Sequence, residues 1–330
     1  MASLLLDARS PSEFAHAHIP GAVNIPLMDD EQRRIVGTTY KHKGRNAAVL
    51  AGFDLVGPKF GDIVRTAQEK FPDKDVLVYC WRGGMRSAIM AWILGLAGFK
   101  VSVRKGGYKA YRASVLESFN EPRKVVVIGG KTGSGKTDVL KELSRLGEQV
   151  IDLEGLACHK GSSFGALGQP PQPSNEQFEN LLSEEWRKAD STRPCWLENE
   201  SRNIGRIKLP EQVYEAIRTS VVMEVELPTS LRMERIIRDY GSFDRAELIE
   251  ATLRLTKKLG GQHAQAAVEA LEAGNLKSWL EKLFVYYDKT YQHGNSLRDP
   301  SSIHVIPWNP KESPEEFALR LLRFSKTVIS

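Results

Sequence analysis

The run Val125-Val126-Val127-Ile128 leads into Gly130-Lys131-Thr132-Gly133-Ser134-Gly135-Lys136-Thr137, which fills every fixed position of G-x-x-x-x-G-K-[ST]. Few features limit a fold as tightly. A buried strand must end in a turn built on glycine, and a helix must start near Lys136. Amides of such a loop turn inward around phosphate oxygens, and the helix start adds its positive dipole end. Lys136 supplies a point charge, and the Thr137 hydroxyl can reach Mg²⁺. ATP is the default ligand, but a pyrophosphate group on another molecule fits the same cradle. The acid that accompanies this loop follows an apolar strand. Val150-Ile151-Asp152 and Trp196-Leu197-Glu198 both qualify.

A second α/β segment precedes the phosphate loop. Leu4-Leu5-Leu6, Val76-Leu77-Val78-Tyr79 and Val101-Ser102-Val103 read as strands, and Ser87 to Leu96 has helical spacing. Alternating strands and helices predict a parallel sheet. The polar run Asn120 to Lys124 contains a proline and marks a domain boundary, giving domains 1–119 and 120–330. Residues 162–174 are rich in Gly, Pro, Gln and Ser and read as loop. Val221 to Leu227 and Ile303 to Ile306 read as strands. The segment 229–300 is mostly helical, with a break at Gly260-Gly261. A last helix runs from Pro314 to Phe324 with Ser313 as its N-cap.

Cys80-Trp81-Arg82-Gly83-Gly84-Met85-Arg86-Ser87 also follows a strand and opens a helix. Amides converging on the sulfur stabilise a thiolate and any anion attached to it, and Arg82 and Arg86 add positive charge. Cys80, Arg82 and Arg86 are therefore candidate catalytic residues for a nucleophilic cysteine that carries sulfur, selenium or phosphorus. Around this loop the chain resembles a rhodanese domain. Asp7-Ala8-Arg9, Glu13-Phe14 and His18-Ile19-Pro20-Gly21-Ala22-Val23-Asn24-Ile25-Pro26 are similar to its opening, and Gly106-Gly107-Tyr108 to its closing motif. Cys80 falls at the rhodanese catalytic position. The spacing C-x5-R is one residue longer than the usual rhodanese loop. It also resembles protein tyrosine phosphatases and the phosphatase branch of the rhodanese fold, and it suits a phosphate-bearing donor.

The order rhodanese-like domain, then phosphate-loop domain, resembles the bacterial tRNA 2-selenouridine synthase family over nearly all the chain. Family-like motifs include Gly37-Thr38-Thr39-Tyr40-Lys41, Gly106-Gly107-Tyr108-Lys109-Ala110 and Asp152-Leu153-Glu154-Gly155-Leu156-Ala157 with His159. Gly161-Ser162-Ser163-Phe164-Gly165 and Glu198-Asn199-Glu200-Ser201-Arg202-Asn203-Ile204-Gly205 complete the set. Lys160 stands after His159 where arginine is common. The resemblance implies an α/β fold: a rhodanese-like parallel-sheet domain, then an NTPase-like domain with a helical C-terminal region. It also implies conversion of wobble 2-thiouridine in tRNA to 2-selenouridine in two steps. Geranyl diphosphate alkylates the sulfur, and selenium from selenophosphate then replaces it through a selanylcysteine on Cys80. On this reading Gly130, Gly133, Ser134, Gly135, Lys136, Thr137 and Asp152 hold a diphosphate leaving group, with Mg²⁺ on Thr137 and Asp152. No cofactor is tightly bound, and an enzyme supplying selenophosphate is a candidate partner.

The net charge of +5 and a pI near 9.0 permit an anionic partner without demanding one. The tRNA candidates are Arg202, Arg206 and Lys208, with Arg232, Arg235 and Arg238 on a basic helix; each also reads as a solvated face. His159 is a general base, a phosphate contact or a plain loop histidine. Glu198, Glu200 and Arg202 form either a charged cluster near the phosphate loop or a surface salt-bridge set. Trp279 and Tyr286-Tyr287 line a prenyl pocket, stack a base or pack the core. Cys158 is a resolving or a structural thiol. Three cysteines at long spacings form no disulfide framework and no CxxC zinc pair. The longest apolar stretch, Ala88 to Phe99, is too short to cross a bilayer. A cytoplasmic protein with no membrane partner is expected. Two other readings remain: an ATP-dependent tRNA sulfurtransferase with a Cys80 persulfide, and a C-x5-R phosphatase-like regulator.

Overall fold

The computed structural model describes residues 4–328. The chain forms two compact units: residues through Ser118 with Glu179–Ser183, and Phe119–Phe178 with Glu184 onward.

In the first unit, β1 (Leu4–Asp7), β2 (Val23–Asn24), β3 (Asp75–Tyr79) and β4 (Lys100–Val103) form a parallel sheet in the order β2-β1-β3-β4. Leu6 pairs with Val78 and with Val23, and Val76 pairs with Val101. A parallel sheet needs cover on both faces. Apolar side chains from the strands meet Val56, Ile63, Ala67 and Phe71 on one set of helices and Met90, Ile93 and Leu94 on another. The strand order reverses between β1 and β3. In an open α/β sheet the crevice at such a point, beyond the carboxyl ends of the strands, is where ligands bind. Asp7-Ala8-Arg9 leaves β1 there, and the Cys80 loop leaves β3.

The expected strands at residues 4–6, 76–79 and 101–103 form, and so does the helix after Cys80, as Met85–Leu96. Sequence reading did not find the helices Asp30–Val56 and Phe60–Lys70. The first kinks at Gly44 (φ 79°), carries Gly37 and Gly52 as well, and fully buries only Ala48 and Val56. Its apolar stripe is too thin and too interrupted to show as a helical period.

In the second unit, β5 (Val125–Gly129), β6 (Gln149–Ile151), β7 (Cys195–Glu198), β10 (Val221–Glu226) and β11 (Ile303–Pro307) form a parallel sheet. Its order is β11-β10-β5-β7-β6. A small antiparallel ribbon joins β8 (Asn203–Ile204) to β9 (Ile207–Lys208). β5 is buried along its whole length, as a central strand should be. It lies at the reversal of strand order, with β7 on one side and β10 on the other. The helix Pro314–Val328 packs against Lys136–Arg145 under this sheet. Ser313 caps the former: its hydroxyl accepts the Glu316 amide at 3.2 Å while the Glu316 carboxylate accepts the Ser313 amide at 2.8 Å.

The helical segment expected over 229–300 is Thr229–Tyr240, Arg245–Leu253, Thr256–Leu259, Gly261–Glu272 and Leu276–Ser296. The expected break lies at Gly260, where φ is +84°. These helices have their own apolar core around Phe164, Trp279, Leu280 and Leu283. Among the described residues no helix is long and apolar enough to cross a membrane.

Candidate active site

The cysteine loop is assembled where the first unit's opening and closing motifs meet. Tyr108 donates its amide to the Cys80 carbonyl at 2.9 Å, and Lys109 does so to the Trp81 carbonyl at 2.9 Å. Gly107 has φ +58°, and a Cβ there would lie 2.2 Å from the Cys80 carbonyl oxygen, so only glycine closes this contact. Behind the loop, Arg9 forms a buried ion pair with Asp7 at 2.6 Å and lies over the Tyr108 ring at 3.9 Å. Arg9 also donates to the Ala17 carbonyl at 2.7 Å. The opening and closing motifs thus form one frame under Cys80, and neither contributes a reactive group.

Cys80 itself is 4% exposed. Its Sγ lies 3.3 Å from Ser87 Oγ. Burial pushes the thiol upward, but the Ser87 hydroxyl and the amides of Ser87, Gly84 and Arg82 outweigh it. The net effect holds Cys80 below an ordinary cysteine. Arg86 is fixed by Glu13, with Nη1 donating to Oε2 at 2.6 Å, and Glu13 also pairs with Arg33 at 3.0 Å. Burial acts to raise the Glu13 carboxyl; Arg86, the Ser10 amide and Arg33 nonetheless hold it below the usual carboxylate range. Arg82 is exposed on the loop. Beside the loop runs an apolar groove of about 460 Å³. Val36, Tyr40, Val49, Phe53, Met85 and Ile89 line much of it, and Arg33, Arg45 and Arg86 add charge. Tyr40, Phe53 and Met85 are large apolar side chains left exposed on it.

The phosphate loop of the second unit has the expected form. Gly133 has φ +81°, and a Cβ there would lie 2.7 Å from the Arg232 carbonyl oxygen. Lys136 Nζ donates to the Gly130 carbonyl at 2.9 Å and to the Tyr291 hydroxyl at 3.0 Å. An ammonium has three donors, so these contacts leave one for an incoming anion. Burial pulls Lys136 down, yet Tyr291, Glu154 and Glu200 more than offset it, and its pKa lies above that of an ordinary lysine.

Carboxyl groups crowd this lysine. Burial and Glu200 push Glu154 up to about 8. Burial likewise raises Glu200, against Lys136 and a hydrogen bond with Glu154. Glu198 is 1% exposed and raised by burial and by Glu154 and Glu200. Its Oε2 accepts the Glu154 amide at 3.3 Å, and its Oε1 has no partner. Two carboxyls in hydrogen-bond contact cannot both ionise cheaply, so Glu154 and Glu200 hold a proton between them.

Of the two acids that follow apolar strands, Glu198 ends β7, which pairs directly with β5 (Ile128 opposite Glu198). Asp152 follows β6 at the sheet edge. It is exposed, and its Oδ1 accepts the Gly155 amide at 2.7 Å, capping its own helix. Sequence reading brought Glu198 and Glu200 to this cluster but missed Glu154 and Tyr291. Glu154 lay inside a motif already singled out. Tyr291 sits 155 residues from Lys136 and carries no local signal.

Arg232 departs from the expectation of a tRNA contact. It is 2% exposed, donates to the Thr132 carbonyl at 2.9 Å and pairs with Asp288 at 2.6 Å. It braces the phosphate loop from beneath, so no external phosphate reaches it. Arg235 is partly buried, pairs with Asp138 at 2.5 Å and lies over Trp308. Arg202 pairs with Glu211, and Arg206 donates to the Gln172 carbonyl; Lys208 and Arg238 are exposed. Arg202 thus belongs to a surface pair, apart from the glutamates around Lys136. His159 is 7% exposed, and burial lowers its pKa, so it is neutral near pH 7; its Nδ1 has no partner. Trp279 is core: its indole donates to Thr252 Oγ1 at 3.0 Å. With Thr132 and Tyr287 it borders a void of about 20 Å³, room for one water and not for a prenyl chain. Cys195 is buried at the start of β7 and pushed up to about 12 by that burial.

Comparison with known proteins covers both domains of the chain. Residues 1–114 match the family model described as a rhodanese-like domain. Residues 123–305 match the one described as the tRNA 2-selenouridine synthase AAA domain. A tRNA 2-selenouridine synthase of Nitrosomonas europaea is 33% identical, covering 87% of this chain and 88% of its own length. Those of Chromohalobacter salexigens and Bordetella petrii are 36% and 37% identical, over 92% and 88% of this chain and 91% and 86% of theirs. With both domain models matched in order and full-length relatives at this identity, the chain belongs to the tRNA 2-selenouridine synthase family.

Proposed function

We propose that this chain converts wobble 2-thiouridine in tRNA to 2-selenouridine in the cytoplasm. Geranyl diphosphate and selenophosphate are the co-substrates, and an enzyme that makes selenophosphate is a candidate supplier. The observation that carries the reading is that one chain holds two intact anion loops of different chemistry: Lys136 in one, a thiolate-stabilised Cys80 in the other. A thiocarbonyl sulfur is a poor leaving group, and alkylation turns it into a departing thiolate. The chemistry therefore needs one site for a diphosphate leaving group and one for a selenium donor.

In the first step the thiouridine sulfur forms a bond to the geranyl C1 as the C–O bond to diphosphate breaks. Lys136, Thr137 and the loop amides offset the charge that grows on diphosphate. The glutamates around Lys136 oppose that charge unless they are protonated or bridged by a cation. The protonated Glu154–Glu200 pair meets part of this need. Among the described residues no group of three His, Cys, Asp or Glu side chains is arranged to hold a metal by itself. A Mg²⁺ that arrives with diphosphate fits the Thr137 hydroxyl and the unpartnered oxygen of Glu198 better than the helix-capping Asp152. Bound there, it supplies charge neutralisation for the leaving group.

In the second step selenium takes the place of the geranylated sulfur at the Cys80 loop. The groove beside that loop falls within the 300–1,000 Å³ range of small-ligand sites and offers apolar cover for a ten-carbon chain.

The test weighs tRNA nucleosides by mass spectrometry, first with 2-thiouridine tRNA and geranyl diphosphate, then after selenophosphate is added. A geranyl adduct that becomes selenouridine is expected. Lys136→Ala should abolish the adduct, and Cys80→Ser should stop the second conversion only. Thiolation that requires ATP and a persulfide donor, with no adduct, would replace this reading with the sulfurtransferase.

A further inference from the structure

The Cys80 loop is built to take a tetrahedral oxyanion. Five residues separate Cys80 from Arg86, amides from Arg82, Gly84 and Ser87 bear on the sulfur, and Ser87 Oγ stands 3.3 Å from it. Arg86 is preset by its pair with Glu13, which Arg33 holds in turn. Amide donors converging on a buried sulfur, with Arg86 six residues further along the loop, match the equatorial oxygens of a phosphoryl group better than a single selenium atom.

Electron balance separates the two uses of Cys80. In selenophosphate the selenium is fully reduced and bonded to phosphorus(V). A selanyl group on cysteine holds selenium two electrons higher. Thiolate and selenophosphate therefore form it only with an oxidant, or by expelling phosphorus as phosphite. Attack at phosphorus needs neither.

We propose that Cys80 is a phosphoryl acceptor, taking the phosphoryl group of selenophosphate and setting selenide free at the loop. This rests on the reading of selenophosphate as co-substrate. The Cys80 thiolate bonds to phosphorus as the P–Se bond breaks, and the electron pair leaves on selenium as HSe⁻. Selenide adds to C2 of the S-geranylated uridine, and the C–S bond breaks. Geranyl thiolate leaves and takes up the selenide's proton. Water then attacks phosphorus of S-phosphocysteine, releasing phosphate and the Cys80 thiolate. The sum is geranylated thiouridine, selenophosphate and water giving selenouridine, geranylthiol and phosphate, with no change of oxidation state at phosphorus or selenium. The cysteine thus does phosphatase chemistry in the service of selenium transfer.

The experiment uses the full chain and selenophosphate labelled in both phosphorus and selenium. The reaction is quenched early, and the Cys80 peptide is examined before and after dithiothreitol. A phosphorus label that survives the reductant, without selenium, is expected, and Cys80→Ser should lose it. Selenium on Cys80 that the reductant strips, or no label while tRNA is still selenated, overturns the proposal. A parallel conversion of S-geranylated tRNA keeps the two readings apart. Selenouridine without a phosphorus label removes the acceptor role alone. A phosphorus label without selenouridine removes the proposed function and leaves the acceptor. Neither product removes both.

Discussion

Replacing Ser87 by alanine removes the one side chain, among the described residues, that hydrogen-bonds the Cys80 sulfur. Cys80 is 4% exposed, so water cannot readily take the hydroxyl's place. A hydrogen bond to a charged partner contributes about 1.5–3 kcal/mol. At about 1.4 kcal/mol per pH unit, losing it moves the Cys80 titration midpoint up by about one to two pH units. The hydroxyl has one proton, which the Gly84 carbonyl accepts at 2.9 Å; turned to the sulfur it stabilises the thiolate, which sets the direction, and giving up the Gly84 bond puts the shift at the lower end of this range. The loop amides of Arg82, Gly84 and Ser87 remain, so part of the depression survives. The assay is the rate of iodoacetamide alkylation against pH, read on the Cys80 peptide by mass spectrometry. Below both midpoints the variant should react about tenfold more slowly, in step with its smaller thiolate fraction. Cys195 serves as an internal reference, since its burial keeps it protonated and unreactive in both proteins. An unchanged midpoint in a folded variant would refute the claim that Ser87 tunes the nucleophile.

Four further outcomes are expected. Arg232→Ala should destabilise the phosphate-loop unit by about 3 kcal/mol, because it leaves Asp288 only its longer pair with Lys131 at 3.5 Å and the Thr132 carbonyl without its donor; urea unfolding measures it. A merely weakened tRNA affinity with unchanged stability would contradict the bracing role. Glu154, raised to about 8 in the fold, binds its proton more tightly folded than unfolded, so its contribution is full below about pH 4.5 and is lost as pH rises to 8. Thermal unfolding of Glu154→Gln should accordingly fall less steeply over that window than that of the parent chain. Phe53→Glu places a charge at an exposed groove position, and should slow selenation of geranylated tRNA more than geranylation itself in single-turnover assays. Binding to tRNA should weaken steeply between low and high salt, and a flat salt profile would argue against phosphate contacts by the exposed Arg206, Lys208 and Arg238.

Much of the site was legible because both loops are local. A strand, a glycine turn and a helix start lie within a dozen residues, and the placement of Lys136 or Cys80 at the mouth of its loop follows from that short geometry. The chain order of the two loops, the strands at residues 4–6, 76–79 and 125–128, the cap at Ser313 and the helix break at Gly260 were legible for the same reason. The kinked helix Asp30–Val56 was not, since too few of its side chains are buried to leave a period.

What the tertiary structure decided is which distant groups share a site. Strand order put Glu198 beside the phosphate-loop strand and left Asp152 at the sheet edge. It brought Tyr291 to Lys136 across 155 residues and Glu13 to Arg86 across 73. It also turned Arg232 from a basic helix face into a buried brace. A residue's type is written in the chain, but its burial and its charged neighbours are set by packing, and those two quantities determine its pKa and its reach.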